Sequence, residues 1–473
     1  MRRFKGVAGV ALAGFAAAAA AQDAGTQDLE QRLRVVERQL EIQKEDAEAR
    51  AKDSAQVTAS DKGFSLKSAD GSYELKIRAL VQADGRFYTG DTSAQAINDG
   101  FLLRRVEPTF QASLGKLVGA TFTPNFSAGS YSSPGVAVSD LYVELKFDPA
   151  YTFRIGRYKT PVSGLENLQP SGAIRFVERG LPTSLAPNRD FGAQLAGTLF
   201  SSTFNYAVGI FNGAADGRDA VPSDTDNRKE IAARIFAEPF KNSPGFFQGL
   251  GFGIAGSRGT KLGANTTING VNSVFQGYVS TGQQTFFNYT PTAPAGTNTV
   301  SSVGVQSRLQ PQFYFYRNSF GLLGEYSTSK QELIETNVVA GPPVVATVTG
   351  PKSLTHKAWQ AQASYLITGE EESFNQPVRP SRPYKVGGDG WGALEAAARY
   401  GVLSVDGDSF PNFANPASAA RRARDAGLAL NWYPTVNAKV ALNYDLTTFD
   451  GGAAAGGNRP VERAIFLRTQ VWY

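Results

Sequence analysis

Hydrophobic and polar residues alternate along most of this chain. In the stretch 73–88, YELKIRALVQADGRFY, apolar side chains at every second position are separated by charged or polar ones, with Leu80 as an exception. The stretch 139–147, SDLYVELKF, has the same period of two. This period is typical of β-strands, in which successive side chains point to opposite faces. The pattern therefore predicts an all-β fold over most of the chain.

About sixteen segments have this character. They are 73–88, 101–114, 117–126, 139–148, 151–158, 190–200, 203–212, 228–239, 250–259, 300–317, 320–334, 354–367, 391–405, 420–433, 437–450 and 462–473. Most reach or exceed the roughly 9–11 residues that a tilted strand needs to cross a bilayer, whereas strands of globular proteins average about 5–6. Single-chain bacterial barrels have an even number of strands, and sixteen leave a water-filled channel.

A soluble β-sandwich would alternate in the same way, but with its apolar face inward. Two features favour a barrel instead. Short turns, such as 148–150, 201–202 and 433–435, alternate with long polar segments at 213–227, 260–299, 368–390 and 405–419, which we expect to be external loops. The last segment ends with the aromatic Tyr473, and pairing it with the first strand would remove the sheet edge. We therefore predict a 16-stranded antiparallel transmembrane β-barrel over 58–473, with its apolar face toward lipid.

One connection between predicted strands is unusually long. Residues 160–190 contain four prolines, several glycines and charges of both signs. A loop of this length is uncommon inside a compact domain and is usually functional. We expect it to fold inward and narrow the pore.

The N-terminus predicts two further segments. Basic residues precede the apolar run 7–21, which ends in three alanines, so 1–21 has the pattern of a secretory signal peptide and is too short to span a bilayer. No later stretch has about 18 consecutive apolar residues, which argues against a helical membrane protein. Residues 26–53 favour a helix, with a heptad seam formed by Leu29, Leu33, Val36, Leu40 and Ala47. We assign 22–57 to a periplasmic coiled-coil helix; the alternative is a solvated helix that pairs with nothing.

Composition excludes several kinds of site. The chain has 473 residues, no cysteine and a single histidine, His356, so disulfides, thiolate metal sites and histidine zinc clusters are excluded. The formal net charge of +5 permits attraction of anions but does not indicate nucleic-acid binding. We expect no cofactor and no metal.

Several stretches resemble a known family. GRYKTPVSGLENLQ, FVERGLP, LAPNRDFGAQLAG and NYAVGIFNGAADG, together with FLLRRVEPTF, WGALEAAARY, GLALNWYPTVNAKVALNY and FLRTQVWY, are similar to segments of the phosphate-selective porin O and P family. The resemblance implies a trimeric, 16-stranded porin of the Gram-negative outer membrane that passes phosphate or polyphosphate, with arginines along the lumen and lysines at the constriction. Arg104 and Arg105 match the family's paired-arginine strand, whereas only Lys159 stands near the constriction loop.

If apolar residues face lipid, parity assigns most charged residues to the lumen, because an Arg or Lys facing lipid at the midplane would cost roughly 2–4 kcal/mol. The candidate pore-lining and anion-binding residues are Lys76, Arg78, Arg105, Arg154, Lys159, Arg175, Arg179, Arg189, Arg234, Arg308, Arg399 and Arg468. Arg104 breaks the parity of its strand, and we expect it at the rim. Within the loop these cations face Glu166, Glu178 and Asp190, which predicts either a positive filter or ion pairs that hold the loop to the wall.

The function predicted from sequence is a homotrimeric outer-membrane channel, embedded in lipid, for small anions such as phosphate. A broad-specificity channel or a sugar-selective porin is the alternative, and Tyr142, Tyr314 and Tyr316 are the candidate stacking residues for sugar rings. An outer-membrane hydrolase would need His356 as its base, and a structural anchor would act through the coiled coil.

Overall fold

Sixteen strands form one closed antiparallel sheet. The computed structural model describes residues 31–45, 54–89, 98–127, 129–130, 133–220, 224, 226–264, 267–268, 271–272, 275, 277–290, 298–339 and 345–473. The barrel strands, in chain order, are β1 Tyr73–Tyr88, β2 Gly100–Leu114, β3 Val118–Asn125, β4 Ala137–Asp148, β5 Tyr151–Lys159, β6 Arg189–Leu199, β7 Phe204–Phe211, β8 Glu230–Ala237, β9 Leu250–Thr260, β10 Asn298–Arg317, β11 Phe320–Val339, β12 Val345–Leu366, β13 Ala393–Ser404, β14 Ala420–Thr435, β15 Ala438–Gly451 and β16 Glu462–Trp472.

Each strand pairs with the next one along the chain, and β16 pairs with β1, with Arg468 opposite Asp84. The closed sheet has no free edge, as a barrel in lipid requires. The predicted fold class, strand number and pairing of the last strand with the first are confirmed. Two short strands, Gln56–Ser60 and Gly63–Lys67, precede the barrel.

The barrel is apolar outside and polar inside. Along β15, Leu442 and Tyr444 are exposed, whereas Asn443 and Asp445 between them are buried. This inverts the arrangement of a soluble sandwich and is what a lipid-facing surface requires. The predicted assignment of apolar residues to the outer face is confirmed.

Connections differ at the two ends of the barrel. At one end, the turn end, five connections are short: 115–117, 149–150, 200–203, 318–319 and 436–437. The opposite end, the loop end, carries the longer connections, including 160–188, 212–229 and 261–297. The prediction that 368–390 is an external loop is wrong, because this segment joins β12 to β13 and so lies at the turn end. The length of a connection does not determine at which end of the barrel it lies; its place in the strand order does.

Two strands are longer than the alternation predicted. β11 extends to Val339 and β12 begins at Val345, instead of ending at 334 and beginning at 354. Beyond a register shift between Leu333 and Glu335, the two strands continue to pair, with Val339 opposite Val345. The shift interrupts the period of two, which is why the sequence pattern ended early.

The connection between β5 and β6 folds into the barrel, as predicted. This constriction loop, 160–188, contains a short helix, Leu165–Leu168, and a 3₁₀ helix, Leu181–Leu185, and most of its residues are buried. Its approach to the wall is very close at Gly180, where a Cβ would lie 1.7 Å from Oε1 of Gln360. Only glycine fits at this position without moving the wall side chain.

The N-terminal segments are described in part. The predicted signal peptide, 1–21, lies outside the described residues, as do 26–30 and 46–53 of the predicted helix. Residues 31–45 are helical and all exposed, including Leu33, Val36 and Leu40 of the heptad seam. Among the described residues, no helix is long and apolar enough to cross a membrane.

Candidate functional site

One face of the constriction loop is attached to the barrel wall by hydrogen bonds to its backbone. Long side chains from β13 to β16 donate to four carbonyl groups within 174–178 of the loop. The pairs are Lys439 Nζ to Ile174 O (2.7 Å), Asn431 Nδ2 to Arg175 O (2.9 Å), Arg468 Nη1 to Val177 O (2.6 Å) and Arg399 Nη1 to Glu178 O (2.8 Å). The loop therefore lies against this side of the barrel, and we call this surface the pinned face.

Carboxylates of the loop and wall extend the same attachment. Glu325 of β11 accepts from the backbone N–H of Leu165 (2.6 Å), and Glu166 accepts from that of Gly180 (2.8 Å). Nε2 of Gln360 donates to both carboxylates, at 2.7 and 2.9 Å. These bonds fix both short helices of the loop on the wall.

Four of the predicted pore cations are used in buried ion pairs. Their guanidinium groups are almost fully buried and have carboxylate partners from the wall or from other inward segments. The pairs are Arg175 with Glu372 and Glu395, Arg308 with Asp216 and Glu230, Arg399 with Asp425 and Asp445, and Arg468 with Asp84. The ion pairs of Arg175 and Arg308 hold inward segments to the wall, whereas those of Arg399 and Arg468 join neighbouring wall strands.

Glu178 is the carboxylate that links the loop to the first two strands. It accepts from Arg86 of β1 and from Nε of Arg104 of β2 at 2.7 Å. Burial would raise the pKa of Glu178, but the charges of Arg104, Arg86 and Arg468 outweigh burial and hold the pKa well below its usual range. The expectation that Arg104 lies at the rim is wrong, because it points inward to the loop.

Three other predicted cations, in or beside the loop, contact only neutral oxygens. Arg105 of β2 donates to Oε1 of Gln82 (2.7 Å), Lys159 at the end of β5 donates to the carbonyls of Asn167 and Gln169, and Arg179 of the loop reaches Ser171 Oγ at 3.4 Å. Within the part of the chain that the structure describes, none of the three has a carboxylate within 4.0 Å. We call Arg105, Lys159 and Arg179 the open face.

The charges of the open face act on one another. Arg179, Arg189 and Arg105 repel the charge of Lys159, and Asp140 attracts it. Arg104, Arg179 and Arg468 repel the charge of Arg105, and Glu107 attracts it. Burial, together with the repulsion of Arg104 and Arg189, lowers the pKa of Arg179 to about 10 although Glu166 attracts its charge, so the group remains cationic at neutral pH. Its Nε is buried and has no hydrogen-bond partner. An anion entering here would meet three cations that have no carboxylate in contact among the described residues.

The remaining predicted cations are more dispersed. Arg189 pairs with Asp140 at 2.9 Å, and Arg154 pairs with Glu144 and lies over the ring of Tyr142. The other three are Arg234, which donates to Gln312, Arg78, which donates to Gln111, and Lys76, which is exposed near the start of β1.

Sequence reasoning also missed Arg157. It reaches Asp219 at 3.2 Å and the carbonyl of Ala220 at 2.9 Å, both on the connection between β7 and β8. Like Arg104, it lies toward the loop end of its strand, where a long side chain can reach an inward loop whatever its parity. The sequence does carry a signal for both residues, because each has a second cation close to it at the loop end of its strand.

The residues predicted for the alternative functions, sugar stacking and hydrolysis, make other contacts in the structure. Tyr314 and Tyr316 are buried and pack against Phe374, and Tyr142 contacts Arg154 and Tyr158. They do not form an accessible row for stacking of sugar rings. His356 is buried, accepts from the backbone N–H of Asp406 at 3.0 Å and contacts Tyr289.

Comparison with known proteins assigns the family. The family model described as phosphate-selective porin O and P matches residues 75–471. The chain belongs to this family. It is a porin by family, and family and fold point to a channel rather than an enzyme. No curated protein matches the sequence significantly.

A solved structure supports the fold of this porin, and a second one is reported beside it. The outer-membrane channel DcaP of Acinetobacter baumannii superposes with a TM-score of 0.50 at 12% identity, over 87% of this chain and 99% of that one. An anion-selective porin from Comamonas acidovorans gives a TM-score of 0.48 at 11% identity, over 85% of this chain and 100% of that one.

Proposed function

We propose that this porin lies in the outer membrane and passes small anions, with phosphate or polyphosphate as the substrate class, and that the open face is its selectivity site. The observation that carries the proposal is the group of three cations without carboxylate partners beside the constriction loop. Each can replace water around a passing oxyanion, and the planar fork of arginine suits phosphate oxygens. The match to a family of phosphate-selective porins supports this substrate class.

The turn end, which also contains both ends of the barrel sequence, would face the periplasm, as in other outer-membrane barrels. The exposed seam of Leu33, Val36 and Leu40 supports a coiled coil between copies, and hence a homotrimer with its N-terminal helix in the periplasm. Mass measurement of the detergent-solubilised protein with and without 22–57 tests this assembly. A monomer in both cases contradicts it.

Conductance in planar bilayers tests the function. Under a KCl gradient the reversal potential should favour chloride, and millimolar phosphate should reduce the chloride current by occupying the open face. A reversal potential favouring potassium contradicts the anion preference. Chloride preference without block by phosphate supports the broader anion channel instead.

A further inference from the structure

The segment between β12 and β13 reaches into the barrel from the turn end and touches the constriction loop. We call residues 367–392 the strap. Phe374 stacks on Tyr314 with ring centroids 4.6 Å apart, and its carbonyl accepts from Nε2 of Gln169 in the loop at 2.9 Å. The strap is anchored near the turn between β10 and β11, where Glu372 N–H donates to the carbonyl of Asn318 at 2.6 Å. Two inward segments from opposite ends of the barrel therefore meet.

Arg175 is the main link between the two segments. Its Nη2 donates to the Glu372 carboxylate and to the carbonyl of Ser373 (2.7 Å), while its Nε donates to Glu395 of β13 at 3.0 Å. Arg175 and Glu372 are almost completely buried. One guanidinium group thus joins the loop, the strap and the wall.

We infer that Glu372 is a positioning residue for permeation: by holding Arg175 from the strap, it keeps the constriction loop in place against the barrel wall and so fixes the width of the passage. This inference rests on the proposed function, because it concerns the width of the passage beside the open-face cations. The hydrogen bonds of Glu372 favour this role. Its second oxygen accepts from Ser364 Oγ of β12 at 2.6 Å, which fixes the carboxyl group between wall and loop.

The charges around this link are closely balanced. Glu372 and Glu395 face the cations Arg175 and Lys439, with Tyr433 donating to Glu395 at 2.6 Å and the ring of Tyr316 beside Arg175. Burial raises the pKa of Glu372 to about 7, and repulsion by Glu395 adds to burial, while Arg175 opposes both. In the attached state Glu372 therefore carries a proton over part of the neutral range.

The sign of the pH effect follows from this shift. A released Glu372 would have the ordinary value of 4.5, below its value in the attached state. The attached state therefore binds the proton more tightly. The stability that Glu372 contributes to the attached state is fully present below about pH 4.5 and is lost as the pH rises through about 7. Raising the pH should release the loop.

Single-channel recording of the full-length porin tests this role. In the wild type, brief closures should become more frequent above about pH 7, by at most about tenfold per pH unit for one proton. Glu372→Gln imitates the protonated carboxyl group and should give a low, pH-independent closure frequency. Glu371→Gln removes the same charge at the exposed neighbouring residue and should behave as the wild type. The Glu372→Ala channel should close often at every pH. If this variant fails to assemble, the pH dependence of Glu372→Gln still tests the role of Glu372.

Two outcomes overturn the inference: Glu372→Gln keeps the pH dependence of the wild type, or Glu371→Gln loses it equally. A second readout does not depend on conduction. Because the chain has no cysteine, a single Ala173→Cys at a buried position of the loop reports its release through its reaction rate with a maleimide. Above about pH 7 this rate should be higher with Glu372 than with Gln at that position, compared at equal pH because the thiolate fraction itself rises with pH. Equal rates contradict the inference, whereas a cation-favouring reversal potential contradicts only the proposed function.

Discussion

The two groups of cations around the constriction loop, those of the pinned face and those of the open face, use the same residue types for different purposes. On the pinned face, Arg399 has two aspartates as partners and also binds a loop carbonyl. On the open face, Arg105, Lys159 and Arg179 bind only neutral oxygens. A cation whose charge is cancelled by a buried carboxylate stabilises the loop but offers little to a passing anion. The carboxylate partner, rather than the presence of arginine, therefore separates a structural cation from a selective one.

The largest effect is expected from breaking the pinned face. Arg399→Met leaves Asp425 and Asp445 buried without their guanidinium partner, which should lower the free energy of unfolding by about 3–5 kcal/mol. Urea unfolding of the barrel in lipid vesicles measures this loss. Further replacement of Asp445 by Asn should recover part of it, because the uncompensated charge causes most of the cost.

A matched control lies on the next strand. Arg424 of β14 pairs with Asp450 at 2.8 Å, but both side chains are partly exposed. Arg424→Met should therefore cost only about 0–1 kcal/mol. Equal costs for Arg399→Met and Arg424→Met would show that the pinned face does not depend on its ion pairs.

A substitution in the open face should change the unfolding free energy less than Arg399→Met does, but it should change ion selectivity directly. Lys159→Gln removes one uncancelled charge, worth about 1 kcal/mol at 4 Å in water, so the ratio of anion to cation permeability should fall by up to about fivefold. Reversal potentials under a salt gradient measure the ratio. Arg154→Gln is the control in the lumen, since Arg154 is already paired with Glu144, and a change as large as that of Lys159→Gln would argue against the distinction.

The smallest expected effect is that of ionic strength on the anion preference. Because the open face attracts anions by uncancelled charge, the anion preference should weaken as ionic strength rises from about 0.1 M to about 1 M, where the screening length falls from about 10 Å to about 3 Å. The unfolding free energy, which depends on the buried pairs of the pinned face, should change much less. Reversal potentials and urea unfolding over one salt series make the comparison. A preference independent of salt would indicate selection by size instead.

The strand pattern was predictable because lipid imposes it locally. The parity of Leu442, Asn443, Tyr444 and Asp445 could be read directly from the chain, and the inward loop followed from its length and its position between two strands. The partner of each cation could not be read in this way. Arg105 and Arg399 look alike in their strands, and only the folded barrel brings Asp425 and Asp445 beside one of them.

The position of the strap could not be predicted from the sequence either. Its polar composition is that of an external loop, but the strand order places it at the turn end, and its contact with Arg175 joins residues 197 positions apart. Arg104 was misplaced for a related reason, since parity describes a strand within lipid and not the reach of a side chain toward an inward loop.

The reversal potential of the triple variant Arg105→Gln, Lys159→Gln, Arg179→Gln decides whether these cations select anions. We expect this variant to assemble, because no ion pair is broken, and its preference for chloride over potassium to disappear. A triple variant that keeps the anion preference of the wild type would show that selection lies elsewhere in the pore.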